Sequence, residues 1–96
     1  MNKDKIVNEL KNDQQFLLEN FGVSSIALFG SYAKGLENDA SDLDFLVEFK
    51  KLSYENLYNL RLYLENKFGS KIDLVRKGPH LSTKFLELIK NELIYV

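Results

Sequence analysis

The sequence has no cysteine, a single histidine, no excess of basic residues and no long apolar run. Each shortage removes a class of chemistry. Without cysteine there is no disulfide framework, no thiolate nucleophile and no Cys-built zinc site. The chain therefore suits a reducing compartment, and a cytoplasmic location is expected. His80 follows Gly78-Pro79 and reads as a helix-start or surface residue rather than a catalytic one. Thirteen Lys+Arg against fourteen Asp+Glu leave a formal net charge of -1. Tight phosphate-backbone binding needs a basic face, so no direct nucleic-acid partner is expected. No segment approaches the ~20 consecutive apolar residues of a membrane span. The N-terminal MNKDKIVNELKNDQQ is too polar for the apolar core of a signal peptide, so neither a membrane partner nor a leader is expected.

Ninety-six residues, 45% hydrophobic and 28% charged, fit one ordinary globular domain over residues 1–96. A chain this short buries one core and leaves little for a separate substrate-binding domain.

Periodicity gives a coarse order of elements. Ile6, Val7, Leu10, Leu17, Leu18 and Phe21 recur at three- and four-residue steps, predicting one helix from about Asp4 to Asn20. Asn2 or Asp4 suits its cap, and Gly22 its end. Val23 to Phe29 reads as a strand buried at its far end. Gly30 breaks it, Ser31 to Gly35 reads as one helical turn, and Leu36 to Ser41 as a polar loop. Asp42 to Phe49 is the clearest strand: Leu43, Phe45, Val47 and Phe49 alternate with Asp42, Asp44, Leu46 and Glu48. Ser53 suits the cap of a helix from Tyr54 to about Phe68, closed by Gly69. Lys71 to Arg76 is a short strand, parallel to the previous one through a right-handed crossover. A last helix is expected from Leu81 to about Leu93, with Leu81, Phe85, Leu88, Ile89 and Leu93 facing inward. The expected fold is α/β (α+β): a small three-stranded mixed sheet flanked by helices, in the order α-β-α-β-α-β-α.

The chemistry concentrates in Ile26 to Phe49. An apolar strand stops at Gly30-Ser31, and ten residues later Asp42-Leu43-Asp44 opens a second strand. Both aspartates share one strand face, with Cβ atoms about 7 Å apart. Asp73, flanked by Ile72 and Leu74 that point the other way, is the best third carboxylate. It lies about 4.8 Å to the side if its strand is adjacent. Three such carboxylates suit a pair of Mg²⁺ ions ~3.5–4 Å apart, the arrangement that stabilises attacking and leaving oxygens in nucleotidyl transfer. In this reading Asp42 and Asp44 hold the metals, and Asp73 completes one site and accepts a proton from the attacking hydroxyl. Gly30 permits close backbone approach to a triphosphate, with the Ser31 hydroxyl as an added donor. Lys34 either adds charge there or is a solvated loop lysine.

Each piece has an ordinary structural alternative. Gly-Ser is a common turn, Asp-x-Asp often begins a solvated strand, and an isolated Asp73 would be an exposed strand residue. The joint spacing is less ordinary, arising by chance in on the order of one chain in a thousand of this length.

Gly30-Ser31, ten residues, then Asp42-Leu43-Asp44, with Asp73 on the strand after the next helix, resembles the signature of the DNA polymerase β-like nucleotidyltransferase superfamily. The short length resembles its minimal nucleotidyltransferases, antitoxins paired with small helical HEPN toxins. That resemblance implies the nucleotidyltransferase fold, ATP as substrate and Mg²⁺ as cofactor. It also implies transfer of AMP to a tyrosine of a HEPN-type RNase toxin. Gly30 and Ser31 would contact the triphosphate, and Asp42, Asp44 and Asp73 would be the metal-binding catalytic carboxylates. Two other readings accompany it: an antitoxin that neutralises its partner by binding alone, and a small-molecule transferase working as a homodimer. All three need a second chain, because this one has no room for an acceptor-binding domain.

Overall fold

A computed structural model describes all 96 residues, Met1–Val96. The chain runs α1 (Lys3–Asn12), α2 (Gln14–Phe21), β1 (Val23–Phe29), α3 (Gly30–Lys34), β2 (Leu43–Phe49), α4 (Tyr54–Phe68), β3 (Ile72–Arg76), α5 (Thr83–Ile89) and β4 (Ile94–Tyr95). The strands form one mixed sheet in the order β3-β2-β1-β4. β1 is antiparallel to both β2 and β4, and β2 is parallel to β3. The mixed α/β class is as expected, but the sheet has four strands rather than three.

Alternation along β2 decides the two faces. Leu43, Phe45 and Val47 are fully buried in the main core with Ile6, Leu10, Leu17, Leu60 and Leu64, so this face carries α1, α2 and α4. Leu46 points the other way and joins Phe29 and Ile89 in a smaller cluster under α5. Asp44 has the same parity as Leu46 and therefore lies on this second, thinly covered face. The predicted caps form as well. Asn2 accepts from the Lys5 N–H at 3.0 Å and Ser53 from the Asn56 N–H at 3.2 Å, while Gly22 and Gly69 close α2 and α4.

Three expectations are corrected. The single helix from Asp4 to Asn20 is two helices, broken at Asp13 (φ -97°, ψ 1°). In an unbroken helix Asp13 would fall on the same stripe as Ile6, Leu10 and Leu17, directed into the core. The break lets its carboxylate reach α4, where it accepts from the Tyr63 hydroxyl at 2.6 Å and pairs with Lys67 at 3.0 Å. Burial opposes ionisation of Asp13, but these two partners outweigh it and hold its carboxyl below the usual range.

The last helix is also shorter than expected. Ser82 caps it by accepting from the Phe85 N–H at 3.0 Å, and it ends at Ile89 instead of running to Leu93. A turn closed by the Glu92 N–H on the Ile89 carbonyl (2.9 Å) then reverses the chain. As a result Leu88, expected inside, is 70% exposed, whereas Leu81, Phe85, Ile89 and Leu93 do pack inward.

The reversed chain supplies the fourth strand. Ile94 and Tyr95 pair with Leu28 and Ala27, and the Val96 N–H donates to the Ile26 carbonyl at 3.1 Å. Ile94 and Val96 thereby pack on the core, although Tyr95 stays half exposed. A run of four apolar residues fits a strand as well as a helix end, and periodicity alone does not separate them.

Candidate active site

The site is built where β1 ends and β2 and β3 begin, which the antiparallel β1–β2 and parallel β2–β3 pairings bring to one edge. Phe29 is opposite Asp44 in the first ladder, and Asp44 is opposite Asp73 in the second. Directly opposed residues of neighbouring strands project to the same face, so the two carboxylates stand side by side. Ile72 and Leu74 take the core face, as their alternation with Asp73 predicts. The Leu43 N–H donates to the Lys71 carbonyl at 3.0 Å, fixing this register at its first rung.

The polar loop before β2 is tied to itself. The Ser41 hydroxyl accepts from the Asn38 N–H at 2.9 Å, the Asn38 side chain accepts from the Ala40 N–H at 2.8 Å, and the Ser41 N–H donates to the Asn38 carbonyl at 3.0 Å. These bonds hold Asp42 immediately ahead of β2, two residues before Asp44.

Gly30 is fitted against the same carboxylate. Its φ of +78° lies in the left-handed region, and a Cβ there would collide with the Asp44 carboxylate, ending 3.0 Å from its Cγ. Only glycine meets both conditions. After it, Tyr32 and Ala33 bury themselves in the main core, anchoring α3, and Ser31 is half buried beside Gly30. Arg76 lies opposite Val47, three rungs beyond the Asp44–Asp73 pair, so Arg76 and Lys77 belong to the far end of the sheet.

Sequence reasoning missed Glu92. Its Oε1 accepts the Gly30 N–H at 2.9 Å and its Oε2 pairs with Lys34 Nζ at 3.2 Å. A glutamate 62 positions away in an apparent helix carries no local signal of this role. Only the turn after α5 delivers it.

The electrostatics are those of crowded anions. Burial pushes the Asp44 carboxyl up to about 6, reinforced by the negative charges of Asp73, Asp42 and Glu92 in that order. This crowding and the all-oxygen donor set suit a hard divalent cation such as Mg²⁺. The side chains as they stand do not converge into a closed three-ligand cage. The site is an open surface: the larger concavity, about 480 Å³, lies elsewhere, between α2 and the first half of β1, lined by residues such as Leu18, Ser25, Lys50 and Val96.

The chain is similar to proteins of known family. The family model described as nucleotidyltransferase domain matches residues 5–96. A candidate protein adenylyltransferase of Methanocaldococcus jannaschii is 39% identical over 93 residues, covering 96% of this chain and 95% of the relative. The protein adenylyltransferase MntA of Thermococcus cleftensis is 35% identical over 94 residues, covering 97% and 94%. Among solved structures, a candidate minimal nucleotidyltransferase superposes with a TM-score of 0.73 at 26% identity, covering 98% of this chain and 95% of that one. A toxin–antitoxin complex with AMP-PNP gives 0.69 at 26% identity, covering 88% and 70%. The fold also recurs, at 23% identity and a TM-score of 0.61, over 92% of this chain and 69% of that one. That structure is a tri-AMPylated Shewanella oneidensis HEPN toxin in complex with MNT antitoxin. A Gly-Ser turn and paired aspartates on this fold, together with a family match over nearly the whole chain, have one conclusion: the chain belongs to the nucleotidyltransferase family.

Proposed function

We propose that this protein is an antitoxin that transfers AMP from ATP to a tyrosine of a partner HEPN-type RNase toxin, in the cytoplasm. The observation that carries the reading is the Asp44–Asp73 pairing with Gly30 packed against Asp44, which brings two of the carboxylates and the Gly30 turn together on one open face. An open face suits a tyrosine presented by a folded partner better than a free metabolite, which binds in concave sites. The relatives named as protein adenylyltransferases point the same way.

In this mechanism the backbone turn at Gly30 and the Ser31 hydroxyl hold the triphosphate. Asp42, Asp44 and Asp73 hold Mg²⁺, which when bound supplies positive charge for the attacking and leaving oxygens. The phenolic oxygen attacks the α-phosphorus, forming the new O–P bond as the bond to the β-phosphate oxygen breaks. Pyrophosphate leaves, and Asp73 accepts the phenolic proton. The β2–β3 ladder keeps Asp44 and Asp73 on rigid strands, and the self-bonded loop holds Asp42 just ahead of β2.

The test is incubation of the purified protein and its partner toxin with α-labelled ATP. Label should appear on a toxin tyrosine with wild type and not with Asp42→Ala/Asp44→Ala. Equal labelling by both, or none by either, overturns the reading. If that double variant still protects cells as wild type does, binding alone neutralises the toxin. Label on a metabolite instead would identify a small-molecule transferase.

A further inference from the structure

Glu92 holds two groups that an incoming triphosphate would use. The Gly30 N–H donates to one of its oxygens and Lys34 pairs with the other, and its side chain is only 18% exposed. Strand pairing does not require this contact, because β4 is already held to β1 by two residue pairs and the Val96–Ile26 bond. It is also an unfavourable place for a carboxylate, since Glu92 adds a negative charge beside Asp44, where Asp42 and Asp73 already stand. A carboxylate stays among like charges when it satisfies an N–H and a cation at once. A phosphate oxygen offers the same charge to the same two partners.

We propose that Glu92 is an internal stand-in for the triphosphate, holding Gly30 and Lys34 in the empty protein, and that nucleotide binds by displacing it. The inference rests on the reading of Gly30-Ser31 as the triphosphate turn. Glu92 already occupies the Gly30 N–H and pairs with Lys34, and its charge repels a phosphate, so Glu92 and the triphosphate compete for the same two partners. Two consequences follow. Nucleotide affinity is held below what the turn alone would give. Release of Glu92 frees the turn between α5 and β4, so nucleotide occupancy reaches a surface that carries the exposed Leu88 and Tyr95.

The experiment is a calorimetric titration of AMP-PNP with Mg²⁺ into wild type, Glu92→Gln and Lys34→Gln, with amide exchange followed over residues 88–96 of wild type. Glu92→Gln should bind about five- to tenfold more tightly, because a repelling charge is removed from the site. Lys34→Gln should bind more weakly by a similar factor. Nucleotide should speed exchange over 88–96 in wild type. Equal or weaker binding by Glu92→Gln would mean that Glu92 braces the turn, and the proposal fails. Unchanged or slowed exchange over 88–96 in wild type also overturns it, whatever happens to the folding of the variants. If neither wild type nor Glu92→Gln binds the nucleotide, the underlying reading of the turn falls, and the exchange with it.

Discussion

Asp44 sits between two neighbours that each constrain it: Asp73 opposite it on β3, and Phe29 opposite it on β1, immediately before the turn at Gly30. The carboxylate pair and the Gly30 turn are thus coupled through one residue.

Gly30→Ala should impair both stability and transfer. The new methyl meets the Asp44 carboxylate, and φ +78° strains any L-residue. The left-handed conformation costs about 1–2 kcal/mol, and a shift of Asp44 by an ångström should reduce transfer on the order of a hundredfold. Thermal melts and labelled-ATP assays read the two effects separately. Full activity in Gly30→Ala would mean that Asp44 need not stand where it does.

Asp44→Asn should stabilise the metal-free protein while abolishing transfer. The folded-state carboxyl titrates at about 6 against an ordinary 3.8. Its ionisation therefore opposes folding, a cost absent below the ordinary value and fully present above about 6. At pH 7.5 in chelator, the variant should melt a few degrees higher than wild type, and the gap should narrow as the pH falls through 6. A variant that melts lower at pH 7.5 would show that Asp44 is structurally satisfied and uncrowded.

Asp13→Asn should destabilise the junction of α1, α2 and α4 in a pH-dependent way. The Tyr63 and Lys67 bonds depress the Asp13 carboxyl in the folded state. The stabilisation is present above the ordinary value of 3.8 and is lost as the pH falls through the lower folded one. A loss of about 1 kcal/mol at pH 7, shrinking as the pH falls below the ordinary carboxylate value, is expected from denaturant melts. A penalty that stays constant with pH would assign the effect to the helix break itself.

Leu88 and Ile89 should behave oppositely although they are adjacent. Ile89 is buried against Phe29 and Leu46, so Ile89→Ala should cost about 2–4 kcal/mol. Leu88 is 70% exposed, so Leu88→Ser should change stability by less than about 0.5 kcal/mol. Equal costs would restore the longer helix and the inward Leu88 that periodicity suggests.

Much of the fold was legible because its signals are local. The caps at Asn2 and Ser53 and the closing glycines at 22 and 69 need only a few neighbouring residues to act. The alternation along β2 needs only the strand's own pleat, and it assigned Phe45 and Asp44 to opposite faces correctly. The misread elements all depend on a distant partner. Asp13 breaks a helix because Tyr63 and Lys67 wait on α4. The tail after Ile89 turns into a strand because the edge of β1 offers Ala27 and Leu28 for pairing.

The same division runs through the site. The sequence by itself determined that a Gly-Ser turn would end one strand and that two aspartates would open another. It also determined that Asp73 would face away from the core, since side-chain direction along a strand has a period of two. The tertiary structure decided that Asp44 and Asp73 meet on one rung, because β2 and β3 run parallel with that register. It also decided that Gly30 must be glycine against Asp44, and that Glu92 reaches the Gly30 turn from 62 residues away. Those facts belong to strand order and chain reversal, which arise from burying two faces of one sheet and are not encoded at any single position.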